Sequence, residues 1–400
     1  MNPVSVRRFA LSVLTLFLLS DAGPSMAAEK PAVGHAYPLF NGKDLSRLTV
    51  ENGCKVRVKD GAILLEAGNG WARSHHVYSD FRLHVEWKAL KKTEYDAGVY
   101  IRTPLGGKPF PRGGYQINLL QGKEGNIGNL KGASSSGLIK PGEWNTFDIT
   151  VRGDTVETQI NGKRAYKVGG IKNAVGFVGL QVEAPKGGQF LVRKFEIVEL
   201  SHRSLFNGKD LTGWEGAGKP ASDCWTVQNG DLVCLKKKGP WLRSKQTFGD
   251  FNLRLEYLVN KNGNSGVYVR VPKNGNHHRD DATKPPAGFE VQILDDGYGR
   301  KRKLKPYQYG GSVYDIAGAG KHVGRKPGEW NSLEINCHGR HITTIHNGVM
   351  IVDVTPETHP KISLRQLKGY LGLQNHGGGV KFRHLRVGPA ITDYKMKPAK

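Results

Sequence analysis

Beyond residue 35 the chain alternates apolar and polar residues with a period of two along most of its length. Phe251-Asn252-Leu253-Arg254-Leu255 and Val267-Tyr268-Val269-Arg270-Val271 show it most plainly. Asn-Gly, Asp-Gly and Gly-Gly pairs separate such runs, and no stretch past residue 28 sustains a helical period over several turns. Many short strands punctuated by tight turns predict an all-β protein of sandwich or jelly-roll type. Each strand then gives one face to a core and the other to solvent or a ligand.

The pattern repeats at the scale of a domain. Leu39-Phe40-Asn41-Gly42-Lys43-Asp44-Leu45 returns as Leu205-Phe206-Asn207-Gly208-Lys209-Asp210-Leu211. Gly98-Val99-Tyr100-Ile101-Arg102 returns as Gly266-Val267-Tyr268-Val269-Arg270, and Pro141-Gly142-Glu143-Trp144-Asn145 as Pro327-Gly328-Glu329-Trp330-Asn331. The order is kept and the period far exceeds a solenoid unit, so the chain reads as two tandem copies of one domain, 35–200 and 204–390.

The first 28 residues read differently. Arg7 and Arg8 precede the apolar run Phe9 to Ser20, which is too short to span a bilayer, and Ser25-Met26-Ala27 supplies small residues for cleavage. This is the pattern of a secretory signal peptide, which predicts a periplasmic or secreted protein without a membrane span. With 59 Lys+Arg against 35 Asp+Glu, the net charge of +24 acts at long range on polyanions. An exported protein rarely meets nucleic acid, so acidic or sulfated glycans are the candidate polyanions. The basic runs Lys236, Lys237, Lys238 and Arg300, Lys301, Arg302, Lys303 read first as solvated loops. A two-residue Asn229-Gly230 hairpin would set Trp225 opposite Cys234 and turn Cys224 to the other side of the sheet, against a disulfide, whereas a three-residue loop would bring the two cysteines opposite each other.

Strand parity gathers chemistry in the second copy. In Phe289-Glu290-Val291-Gln292-Ile293 the acid and the amide share one side. Tyr268 and Arg270 oppose the valines of their strand, and Gln374 and His376 lie away from Leu371 and Leu373. If these strands are neighbours, one polar face carries a carboxylate, a guanidinium, an imidazole, two amides and a phenol, the lining of a sugar groove. The first copy has Gln116 for Glu290 and Glu183 for His376, so it reads as a degenerate binding or scaffold domain. The loop His277-His278-Arg279-Asp280-Asp281 reads as a solvated loop rather than a metal site.

Leu205 to Trp214, Gly263-Asn264-Ser265-Gly266-Val267-Tyr268-Val269-Arg270, Phe289-Glu290-Val291-Gln292-Ile293-Leu294-Asp295, Pro327 to Asn331 and Leu373-Gln374-Asn375-His376-Gly377 together resemble the 3-keto-disaccharide hydrolase domain family. The resemblance implies two concanavalin A-like jelly-roll β-sandwiches and activity on glycosides oxidised at C3. A retaining glycosidase needs two carboxylates about 5 Å apart, whereas Asp295 has the wrong parity to join Glu290. A 3-keto sugar needs less: its ketone acidifies the C2 hydrogen, one base removes it, and the C1 aglycone leaves by β-elimination. Catalytic roles then fall to Glu290 as base, His376 as acid and Arg270 as partner of the enolate. Asn264, Tyr268, Gln292, Gln374 and Arg243 would contact the sugar. No cofactor is certain; Glu290, Asp295 and His376 are candidate ligands for a divalent ion. The alternative is a non-catalytic carbohydrate-binding protein of the cell envelope.

Overall fold

A computed structural model describes Met1 and residues 34–394 and 396, except 185, 236, 296, 298–302 and 378. The signal-peptide segment beyond Met1, Lys236, Arg300, Lys301 and Arg302 lie outside the described residues. All paired strands are antiparallel within four sheets, two to each half. In the C-terminal half a larger sheet centred on Phe251–Val259 faces a five-stranded sheet ordered Trp214–Gly216, Leu242–Phe248, Gly369–Leu373, Asn264–Val271, Phe289–Leu294. The N-terminal half repeats this with a five-stranded sheet ordered Leu48–Glu51, Asn69–Tyr78, Gly176–Glu183, Gly98–Thr103, Tyr115–Asn118. These are the two tandem jelly-roll sandwiches that the alternation predicts.

Each sandwich closes over its own apolar core. Val267, Val269, Phe289, Val291, Ile293, Leu371 and Leu373 from the smaller C-terminal sheet meet Leu253, Leu255, Leu333 and Phe382 from the larger one. The turns obey their chemistry. Asn229 and Gly230 both have positive φ, 53° and 81°, and connect the paired residues Gln228 and Asp231. Such a two-residue turn suits the right-handed twist of the strands it joins. Trp225 accordingly pairs with Cys234, and all four cysteines are buried and unbridged. The repeated Pro-Gly-Glu-Trp-Asn motif is structural: Asn145 accepts a hydrogen bond from Asn161 at 2.8 Å, and Asn331 one from Asn347 at 2.8 Å. The motif thereby pins an Asn-Gly turn in each half.

A buried ionic seam joins the sandwiches. Glu199 meets Arg254 at 2.8 Å and Arg386 at 2.6 Å, Arg47 meets Glu256 at 2.6 Å, and His76 meets Glu334 at 2.5 Å. Burial alone would raise the Glu199 and Glu334 carboxyls, but Arg386 and Arg254 respectively outweigh it and hold both well below the usual range. Trp71, Val77 and Phe177 of the first half complete an apolar patch with Ile345, Met350 and Tyr394 of the second. Deleting one member of such a network strands a desolvated charge.

Candidate active site

The three strands named from parity are neighbours. Tyr268 pairs with Glu290 and Gly266 with Gln292, while Tyr268 also faces Gly372 on the next strand. With the valines and isoleucine turned into the core, Glu290 and Gln292 lie on the outer face, both 4% exposed. A Cβ on Gly266 would sit 2.1 Å from Glu290 Oε1, so glycine is what lets the carboxylate lie flat across the sheet. The Gln374 backbone N–H donates to Gly266 O at 2.8 Å and its side chain to the Tyr268 hydroxyl at 3.1 Å.

The result is a cavity of about 240 Å³ whose lining includes Asn264, Glu290, Gln292, Gln374 and His376. Glu290 forms its floor; His376 is exposed at the rim. Burial pushes the Glu290 carboxyl up to about 8, a shift that Gln374 only partly offsets. Among the described residues no Lys or Arg belongs to the lining. Asn264 Oδ1, Gln292 Oε1 and Gln374 Oε1 are buried without a hydrogen-bond partner among the described residues. An unpaired buried acceptor costs about 1–3 kcal/mol, which a ligand hydroxyl can recover. Three acceptors beside a desolvated carboxyl describe a surface built for a polyol.

Two expected contacts are elsewhere. Arg270 does not join the pocket. The ladder with Gly369–Leu373 shifts register between Tyr268 and Val271, and Arg270 takes φ of 50° in this bulge, which re-aims its side chain. It donates to Gly249 O at 2.8 Å, Gly339 O at 2.6 Å and Asp250 Oδ1 at 2.9 Å. Arg243 is also committed, to Glu215 at 2.6 Å and to the Lys273 carbonyl, and packs 5.0 Å from the Tyr370 ring centroid. It is a neighbour of the site and does not line it. Tyr268 is a floor residue: Trp241 meets its edge at 5.2 Å and His277 covers its face at 4.6 Å.

The candidate metal set does not assemble. Asp295 Oδ2 accepts from Asn262 N–H and Oδ1 from Gly297 N–H, both at 2.8 Å, so this carboxylate braces a turn instead of facing the cavity. Among the described residues no group of three or more His, Cys, Asp or Glu is arranged to hold a metal ion.

Loops supply what parity does not reach. His277 and His278, read as solvated, line the cavity, with His277 Nε2 3.4 Å from Glu290 Oε2. His277 Nδ1 lies 3.0 Å from Gly275 O, which assigns the ring proton to Nδ1 and leaves Nε2 an acceptor toward Glu290. Burial lowers the His277 pKa, keeping the ring neutral. Arg365 anchors the loop by donating to the carbonyls of His277 at 3.0 Å and Gly288 at 3.2 Å. Tyr314 arrives on an edge segment: its N–H donates to Glu290 O at 2.8 Å, extending the sheet by one short rung. The sequence signal for the histidines was their place in the connection between two strands of the site, which must pass close to the pocket mouth.

A family profile described as the 3-keto-alpha-glucoside-1,2-lyase-like domain matches twice, over residues 35–197 and 201–388. The chain belongs to this family. A 3-keto-disaccharide hydrolase of Bacteroides thetaiotaomicron is 25% identical over 225 residues, 46% of this chain and 77% of the relative. A Parabacteroides distasonis protein provisionally described as a glycosyl hydrolase shares 22% identity over 48% of this chain and 94% of its own, at a TM-score of 0.41. The carbohydrate-binding module CBM66 of Bacillus subtilis shares 12% identity over 46% of this chain and 99% of its own, at 0.32.

Proposed function

We propose that the C-terminal sandwich cleaves glycosides oxidised at C3, beginning with proton abstraction by Glu290. The observation that carries this reading is a buried carboxyl, raised to about 8, among three amide oxygens without a hydrogen-bond partner among the described residues, in a hexose-sized cavity. Its raised pKa makes the carboxylate a stronger base than a solvated one once the proton has gone. Glu290 is the only Asp or Glu among the described lining residues, which disfavours double displacement.

Glu290 takes the C2 proton, and the electron pair moves toward the C3 carbonyl to form an enolate. The enolate returns its electrons, the C1–O bond breaks, and the leaving oxygen takes a proton from His376 at the rim. Water adding at C1, with reprotonation at C2, completes a net hydrolysis; release before that step gives a lyase product. With Arg270 engaged elsewhere, the proton donors available to the enolate oxygen are Tyr314 and His278. Asn264, Gln292 and Gln374 accept from sugar hydroxyls. The described lining, which holds no Lys or Arg, suits a neutral sugar.

The relative of Bacteroides thetaiotaomicron supports this substrate class, and the N-terminal pattern supports export to the periplasm or beyond. The test is incubation of the full protein with 3-keto-glycosides and their unoxidised parents, with and without chelator, following released sugar and any unsaturated intermediate. Release from the oxidised glycosides alone is the expected result. Equal cleavage of the parents, or full turnover by Glu290→Gln, would overturn the assignment.

A further inference from the structure

The N-terminal sandwich has a cavity of its own on the matching face. It measures about 300 Å³ and is built from Tyr100, Phe110, Gln116, Asn118, Asn129 and Gln181 among others. Its floor repeats the C-terminal floor strand by strand. Tyr100 pairs with Gln116 and Gly98 with Asn118, as Tyr268 pairs with Glu290 and Gly266 with Gln292. A Cβ on Gly98 would sit 2.2 Å from Gln116 Nε2, so the cradle glycine is also present. Trp71 meets the edge of Tyr100 at 5.5 Å, as Trp241 meets Tyr268.

What differs is the chemistry on that floor. Gln116 stands where Glu290 stands, and the connection from Thr103 to Tyr115 brings half-buried Phe110 where the longer one brings His277 and His278. Gln116 Nε2 donates to Gln181 Oε1, and Gln181 Nε2 donates to Glu183 Oε2 at 2.9 Å. This chain of bonds fixes both amides without involving Gln116 Oε1, the Asn118 amide or Asn129 Oδ1. The cavity thus offers amide donors and acceptors beside an apolar ring, with no imidazole, carboxyl or cation among the described residues of its lining. Neutral amides hold hydroxyls but move no protons at ordinary pH, and the half-buried ring of Phe110 offers the apolar surface that a pyranose face can cover.

We infer that the N-terminal cavity is a non-catalytic binding site for a neutral hexose unit of a glycan, distinct from the C-terminal pocket and independent of its chemistry. The test uses the full chain carrying Glu290→Gln, so that turnover cannot consume the probe. Maltose, cellobiose, sucrose and trehalose are titrated by saturation-transfer NMR and calorimetry. At least one should bind, and Phe110→Ala or Asn129→Ala should weaken it by about tenfold or more. Asn129 is exposed, so its variant serves if Phe110→Ala fails to fold. His376→Ala and Gln292→Ala should leave this affinity unchanged. The inference is overturned if none of the four sugars binds, or if binding is lost only with the C-terminal substitutions.

Discussion

The two sandwiches carry the same five-stranded sheet, the same cradle glycine and the same tyrosine, yet one floor bonds its central amides to each other and the other leaves buried acceptors open around a carboxyl. In the N-terminal half the amides of Gln116 and Gln181 bond each other. In the C-terminal half Asn264, Gln292 and Gln374 each leave a buried oxygen unpaired around a carboxyl that burial has pushed up to about 8. One exchange, Gln116 for Glu290, removes the titratable group; one shorter connection, Thr103 to Tyr115 against Val271 to Phe289, removes the imidazoles. A duplicated fold therefore fixes where a site is, and the residues left unsatisfied on it decide whether it reacts.

The sharpest break of that comparison is reciprocal substitution at the central position. Glu290→Gln should cost about 10²–10⁴-fold in turnover, the usual contribution of a positioned acid or base, with little loss of sugar binding. Gln116→Glu should gain nothing, because no imidazole lines the N-terminal cavity. Steady-state rates on a 3-keto-glycoside check both. Activity appearing in Gln116→Glu with Glu290→Gln would show that the carboxyl alone is sufficient.

A second contrast lies on the larger sheets, where the C-terminal one is covered by the N-terminal sandwich and its charges are buried. Glu256→Ala should destabilise by about 3–5 kcal/mol in chemical denaturation, since it leaves Arg47 buried without its partner. Glu157→Ala, on the half-exposed N-terminal sheet near Arg164 and Lys167, should cost about 0–1 kcal/mol.

The pH dependence of stability separates the two floors next. Glu290 ionises near 4.5 unfolded and near 8 folded. Its contribution is complete below 4.5 and is lost as pH rises through 8, because the unfolded chain gives up the proton first. Glu290→Gln lacks that loss, so above pH 8 the variant should be the more stable protein by a few kcal/mol in urea melts. Gln116→Leu should show no such pH-dependent gap. Activity, by contrast, should rise with pH through the same range, as the base form appears. A flat stability difference between wild type and Glu290→Gln would mean the carboxyl is not desolvated.

Repeated motifs made the duplication legible from the sequence, and parity did the same for the core and the floor of the site. Period-two alternation leaves each strand residue only two directions, and Glu290, Gln292 and Gln374 took the outer one. It was blind wherever the period breaks. The bulge at Val269 and Arg270 inserts one residue, and the guanidinium swings out of register with Tyr268. His277, His278 and Tyr314 belong to connections with no fixed period, so their convergence on Glu290 required coordinates. Asp295 failed as a ligand for another reason: the strand ends at Leu294, and the next side chain turned back to brace its own turn.

The two bulge arginines give the finest version of the comparison, and the one most able to mislead. Arg102 and Arg270 hold equivalent places in the two halves. Each has positive φ, 41° and 50°, and each reaches backbone carbonyls and an aspartate: Ser79, Gly153, Asn173 and Asp80 for Arg102, Gly249, Gly339 and Asp250 for Arg270. A residue conserved between an amide floor and a carboxyl floor serves what they share, which is the loop tying the small sheet to the large one. Arg102→Ala and Arg270→Ala should therefore each cost about 1–3 kcal/mol through the acceptors they leave behind. Neither should change the KM for a 3-keto-glycoside under conditions where the protein remains folded. A selective loss of turnover in Arg270→Ala, without a matching stability loss, would return the guanidinium to the enolate and require the bulge to open when sugar binds.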